Sequence, residues 1–138
     1  MKIPLAKRKL VEERAAGLCE YCRCTQDFSP QPFVIEHIIP KSKDGTDDLD
    51  NLALSCSACN NSKYNKTESL DALTGLKALL YHPRNEVWDE HFRWNENFSK
   101  VIGLTSIGRA TIEVLKLNRE RIVRIRKALY LLGKHPPK

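Results

Sequence analysis

The chain has 138 residues, 29% of them charged and 7% aromatic, and 23 Lys and Arg outweigh 17 Asp and Glu to give a formal net charge of +6. That length predicts a single domain over residues 1–138 with a core small enough to benefit from a staple. No stretch approaches the roughly 20 apolar residues of a membrane span, and the basic balance suits a polyanionic partner. The first residues carry no apolar run of the secretory kind, so the expected compartment is the reducing cytoplasm, where stable disulfides are disfavoured.

In chain order, residues 5–16 are rich in helix formers, with Leu10 and Val11 as apolar anchors and Gly17 as the stop. A cysteine cluster at 19–24 follows, and Pro30 and Pro32 then break the chain. Residues 33–39 are mostly β-branched and predict a strand that Pro40 ends. Residues 41–50 form a polar loop with Gly45 as a turn residue. Leu52-Ala53-Leu54 is a second short apolar run, and residues 56–63 predict a tight turn opening a short helix. Leu70, Leu73, Leu76, Leu79 and Leu80 have helical spacing and predict a helix over 68–80, weakened by Gly75.

Residues 91–94 and 100–104 predict a hairpin around Asn95-Glu96-Asn97. Thr105 or Ser106 is placed to cap a helix running to Leu117, with Ile107, Ala110, Ile112, Val114 and Leu115 on its apolar face. A last helix over 118–132 turns Ile122, Ile125 and Leu129 inward. Its other face carries Arg119, Arg121, Arg124, Arg126 and Lys127, which suits either solvent or a DNA backbone. Trp88, Phe92 and Trp94 are expected in the core. His82, His91 and His135 have no partner at metal-binding spacing, and His135 falls in a terminal tail.

Cys19-x2-Cys22 and Cys56-x2-Cys59 are two pairs of the kind that aim two thiolates at one ion. Together they supply four soft ligands, which suits tetrahedral zinc. Four thiolates leave no open coordination position, so that zinc is expected to be structural. Redox-active cysteines are the competing reading, though the βαβ pattern of a thioredoxin-like fold is missing. Cys24 is left over, as a rival ligand to Cys22 or a free thiol.

Between the pairs lies Glu36-His37, with Asn51 further on and Asn60 directly after Cys59. A neutral histidine can take a proton from water near pH 7. A carboxylate and an amide oxygen are hard ligands suited to Mg²⁺ or a similar cation, which can stabilise charge on a phosphate and its leaving oxygen. A second asparagine can hold the loop or the imidazole by hydrogen bonds. Lys41, Lys43, Lys63 and Lys66 surround these residues, and Lys63, one turn beyond Asn60, is the best placed to meet a phosphate, with Lys41 also a candidate.

These stretches, Cys19-Glu20-Tyr21-Cys22, Ile35 to Ser42, Gly45-Thr46 and Asp50 to Lys63, resemble the HNH endonucleases and their ββα-metal motif. Residues 102–137 also resemble the tail of stand-alone bacterial members, many of them cyanobacterial. The resemblance implies an α+β fold: a small ββα-metal core at about 17–67, stapled by four cysteines, with an N-terminal helix and a C-terminal hairpin and helices over about 81–138. It implies that His37 is the general base, Glu36 and Asn60 the ligands of a catalytic Mg²⁺ or Mn²⁺, Asn51 the residue that positions the motif, and Cys19, Cys22, Cys56 and Cys59 the ligands of a structural Zn²⁺. Double-stranded DNA is the implied substrate. The family often has aspartate where Glu36 stands, and members with a three-histidine metal site carry a histidine where this chain has Tyr64. A zinc-stabilised DNA-binding module without catalysis is the alternative, although binding alone needs neither Glu36 nor His37.

Overall fold

The computed structural model describes residues 3–137, and the fold is mixed α+β, as expected from the sequence. Its contacts gather into two compact units: residues 3–67 with His82–Glu86, and Glu68–Tyr81 with residues 87–137. Among the described residues, no helix is long and apolar enough to cross a membrane.

In the first unit, helix α1 (Leu5–Ala15) ends on Ala16, which takes the left-handed conformation one residue before Gly17. Val11 and Ala15 are buried, whereas Leu10, expected as a second anchor, is exposed. Strands β1 (Val34–His37) and β2 (Leu52–Ser55) pair antiparallel, with Glu36 opposite Ala53 and His37 opposite Leu52. Every residue of β2 is buried, and α1 packs against it. Helix α2 (Ser57–Lys63) starts immediately after β2, and the sulfur of Cys56 caps it by accepting from the Cys59 amide at 3.4 Å. The segment His82–Glu86 returns to this unit through Arg84, which is ion-paired with Glu20. Glu20 also accepts a hydrogen bond from the Leu54 amide at 2.8 Å, so one buried carboxylate ties the first cysteine pair to β2 and to that segment.

In the second unit, the helix expected over 68–80 is replaced by a hairpin of β3 (Glu68–Leu70) and β4 (Lys77–Leu79). Asp71 is the physical reason. Its carboxylate accepts from the Leu73 amide and the Thr74 hydroxyl, its own amide donates to Leu76, and Gly75 sits at φ +75°. This side-chain-to-backbone turn outcompetes the helix that leucine spacing suggests. Arg109 then clamps Asp71 with two bonds of 2.9 Å. Of the five leucines, only Leu80 is buried.

A short helix α3 (Trp88–His91) leads into strands β5 (Phe92–Trp94) and β6 (Val101–Gly103), the hairpin the sequence predicts. Thr105 caps α4 (Ser106–Leu115), accepting from the Gly108 amide at 3.0 Å. Gly108 packs so closely that a Cβ would lie 2.1 Å from the His91 carbonyl oxygen. The core holds Trp88, Phe92, Ala110, Leu115, Leu117 and, from α5 (Glu120–Leu131), Ile122 and Leu129.

Two expectations for α5 are corrected. Arg126 is not on the basic outer face of α5. It is buried, donates to the carbonyls of Ser99 and Leu117 at 3.1 and 2.8 Å, and lies 5.1 Å from the Trp94 ring. Ile125, expected inward, is 39% exposed. His135 is buried beside Trp94 and bonds the Phe98 carbonyl at 2.7 Å, so the tail folds back.

Candidate active site

The two cysteine pairs converge. Cys19, Cys22, Cys56 and Cys59 are all buried, and their four sulfurs lie within 4.8 Å of one another. Sulfurs at Zn–S distances of about 2.3 Å on a tetrahedron stand ~3.8 Å apart, and Cys22 Sγ to Cys56 Sγ is 3.8 Å. The donor set and its spacing therefore fit a closed tetrahedral metal centre. Cys24 stands outside the four but touches them, its sulfur 3.2 Å from that of Cys22.

This frame delivers the polar residues. Strand β1 carries Glu36 and His37, and α2 carries Asn60 immediately beyond Cys59. Glu36, His37 and Asn60 line one open cavity of about 480 Å³, together with Pro40, Lys41 and Tyr64. Among the described residues, no hydrogen bond engages the side chain of Asn60, which leaves its amide oxygen available as a ligand.

Glu36 is 4% exposed and accepts a hydrogen bond from the Tyr21 hydroxyl. Its other oxygen is 3.5 Å from the Lys63 ammonium. Burial pushes the Glu36 carboxyl up from its ordinary value, while the Lys63 charge and the Tyr21 hydroxyl pull it down. A carboxylate has about four lone-pair positions, so these two contacts leave room for a cation.

Lys63 is corrected as a phosphate contact. It is 1% exposed and donates to the Ile38 carbonyl at 2.7 Å. An ammonium sealed between that carbonyl and Glu36 has no path to an external phosphate. Lys41 lines the cavity, is half-exposed, and pairs with Asp47 at 3.0 Å.

Asn51 lies outside the cavity lining and holds the loop that follows β1. Its Oδ1 accepts from the Ile39 amide at 2.8 Å, and its Nδ2 donates to the carbonyls of Ile39 and Thr46 at 3.0 and 2.8 Å. Gly45 closes the same loop against Ile39, where a Cβ would fall 1.7 Å from the carbonyl oxygen. Asn51→Ala removes three bonds from a buried position, so it is expected to destabilise the first unit by about 3 kcal/mol, at roughly 1 kcal/mol per bond. Urea unfolding read from the midpoint checks this.

Tyr64 caps α2 with φ +51° and ψ −115°, a backbone region that glycine adopts freely and residues with a Cβ adopt at a cost. Its side chain is 76% exposed, so little burial offsets the strain. Tyr64→Gly is expected to raise stability by about 1 kcal/mol, seen as a higher melting temperature.

Two residues of the site carry no strong sequence signal. Tyr21 sits between the two cysteines of the first pair, where spacing draws attention only to the thiols. Asp47 is one of several acids in the 44–50 loop, yet its Oδ1 lies 2.7 Å from His37 Nε2.

Residues 19–66 match the family model for HNH endonuclease. No curated protein and no solved structure matches the chain.

Proposed function

We propose that this chain, whose residues 19–66 match the HNH endonuclease family model, is a metal-dependent endonuclease hydrolysing phosphodiester bonds of double-stranded DNA. The observation that carries the reading is the meeting of His37, Glu36 and Asn60 at one open cavity. His37 is the general base that takes a proton from the attacking water. Glu36 and Asn60 offer hard oxygens for Mg²⁺ or Mn²⁺. Such an ion, when bound, supplies charge stabilisation to the phosphate and the departing oxygen. The four cysteines hold Zn²⁺ in a structural role, since four thiolates close its coordination.

Asn51 shapes the loop between β1 and β2, and Lys63 neutralises Glu36 from within. Lys41, half-exposed at the cavity, is the residue placed for a phosphate. The formal net charge of +6 draws the polyanion to the protein. In the hydrolysis itself, the water oxygen bonds to phosphorus as His37 takes its proton. The P–O3′ bond then breaks and the departing 3′ oxygen takes a proton from solvent, leaving 5′-phosphate and 3′-hydroxyl ends.

One observation favours a second reading, a zinc-stabilised DNA-binding module without catalysis. Tyr21 and Lys63 already engage Glu36, so the carboxylate is satisfied without a cation. Incubation of supercoiled plasmid with the zinc-loaded protein and Mg²⁺ or Mn²⁺ separates the two. Metal-dependent nicked or linear product with 5′-phosphate ends supports the nuclease. DNA binding with no cleavage under either metal, at low and high salt, supports the second.

A further inference from the structure

Three segments of the first unit converge on Asp47. His37 Nε2 lies 2.7 Å from Asp47 Oδ1, and the Lys41 ammonium meets the same oxygen at 3.0 Å. The Lys7 ammonium, from α1, donates to the Asp47 backbone carbonyl at 2.8 Å. The loop carrying Asp47 is fixed from both sides, by the three Asn51 bonds and by the close approach of Gly45 to Ile39. These contacts set the position of the Asp47 carboxylate beside His37.

A carboxylate has no proton to give, so the 2.7 Å contact requires the proton on Nε2 of His37. A neutral imidazole carries one N–H and one lone pair. With Nε2 protonated, the lone pair lies on Nδ1. The hydrogen bonds from His37 and Lys41 also hold the Asp47 carboxyl below its ordinary value, so it stays ionised at neutral pH.

We propose that Asp47 is a positioning residue for strand cleavage, fixing His37 as the Nε2–H tautomer so that Nδ1 accepts the proton of the attacking water. The inference rests on the nuclease reading above. In the step, one O–H bond of water breaks, its proton bonds to Nδ1, and the water oxygen bonds to phosphorus. The P–O3′ bond breaks, and the 3′ oxygen and the imidazolium settle their protons with solvent. Asp47 keeps its hydrogen bond to Nε2 throughout and faces the imidazolium as its counter-charge. Lys41 shares the carboxylate, which couples a residue at the cavity mouth to the base.

Two measurements test this on the full zinc-loaded chain. Nitrogen-15 NMR of the His37 ring in the unaltered protein is expected to show Nε2 protonated and Nδ1 bare, and a proton on Nδ1 overturns the proposal. Asp47→Asn, of the same size, is expected to lower kcat for plasmid cleavage by roughly 10- to 1,000-fold. Its ring spectrum should show a mixed or inverted tautomer. A merely structural loop contact would leave tautomer and kcat unmoved, and that result overturns the role of Asp47 alone. Absence of cleavage by the unaltered protein overturns the nuclease reading and this role with it.

Discussion

His37→Ala is expected to slow Mg²⁺-dependent plasmid cleavage by roughly 10²- to 10⁴-fold, the contribution of a positioned general base. The fold and the zinc content should not change. His37 lies at the end of β1 with its side chain 23% exposed, and its side chain bonds Asp47 in a loop that Asn51 and Lys7 hold independently. Removing the ring therefore opens space at the cavity wall without emptying the core. DNA binding should persist, because the attraction of a basic chain for phosphate does not depend on the imidazole. Initial rates with saturating plasmid, beside binding to the same DNA without divalent metal, check both halves. Cleavage within a few-fold of the unaltered rate would remove His37 from the chemistry.

The second large effect concerns the four cysteines. Withdrawal of zinc, or Cys56→Ala, is expected to abolish the cooperative unfolding transition of the first unit. Structural zinc sites contribute an apparent 10–16 kcal/mol or so at neutral pH, and whole domains are stable by only about 5–15 kcal/mol. Here the cost is concentrated, because Cys56 is also the cap of α2 and Cys59 adjoins Asn60. Loss of the metal should free the start of α2 and scatter the cavity. Activity should therefore respond to chelation in two ways. Brief treatment that removes only the exchangeable cation should be reversed by Mg²⁺. Prolonged treatment with a strong zinc chelator should not be reversed by Mg²⁺ alone, and zinc release measured by a colorimetric indicator should track the loss of the melting transition. Full recovery by Mg²⁺ after zinc has left would sink the structural role.

Much of this protein is determined by local sequence. The two CxxC pairs bring their own turn geometry, so their convergence into one sulfur cluster needs only that the intervening chain fold back. The β-branched run around Glu36-His37 and the apolar run Leu52-Ala53-Leu54 pair because each is short, apolar and bounded by breakers. Thr105 and the 3.6-residue pattern beyond it mark α4 for the same reason, that a cap and a periodic face are properties of neighbours in sequence.

What only the tertiary structure decided involves side chains whose partners lie far along the chain. Lys63 looks like a phosphate contact by position, but β1 presents Glu36 and the Ile38 carbonyl to it, and the charge is spent inside. Arg126 sits in a basic helix stretch, yet Trp94 and the carbonyls of Ser99 and Leu117 bury it. The leucines at 70–80 keep helical spacing, but Arg109, 38 residues away, locks Asp71 into a turn. Asp47 is one acid among several until the loop closes and places it against His37. Glu36, His37 and Asn60, which the structure brings to one cavity, stand out in the sequence by residue type and spacing. Their partners do not, because hydrogen bonds between distant residues follow from packing and leave no periodic trace in the sequence.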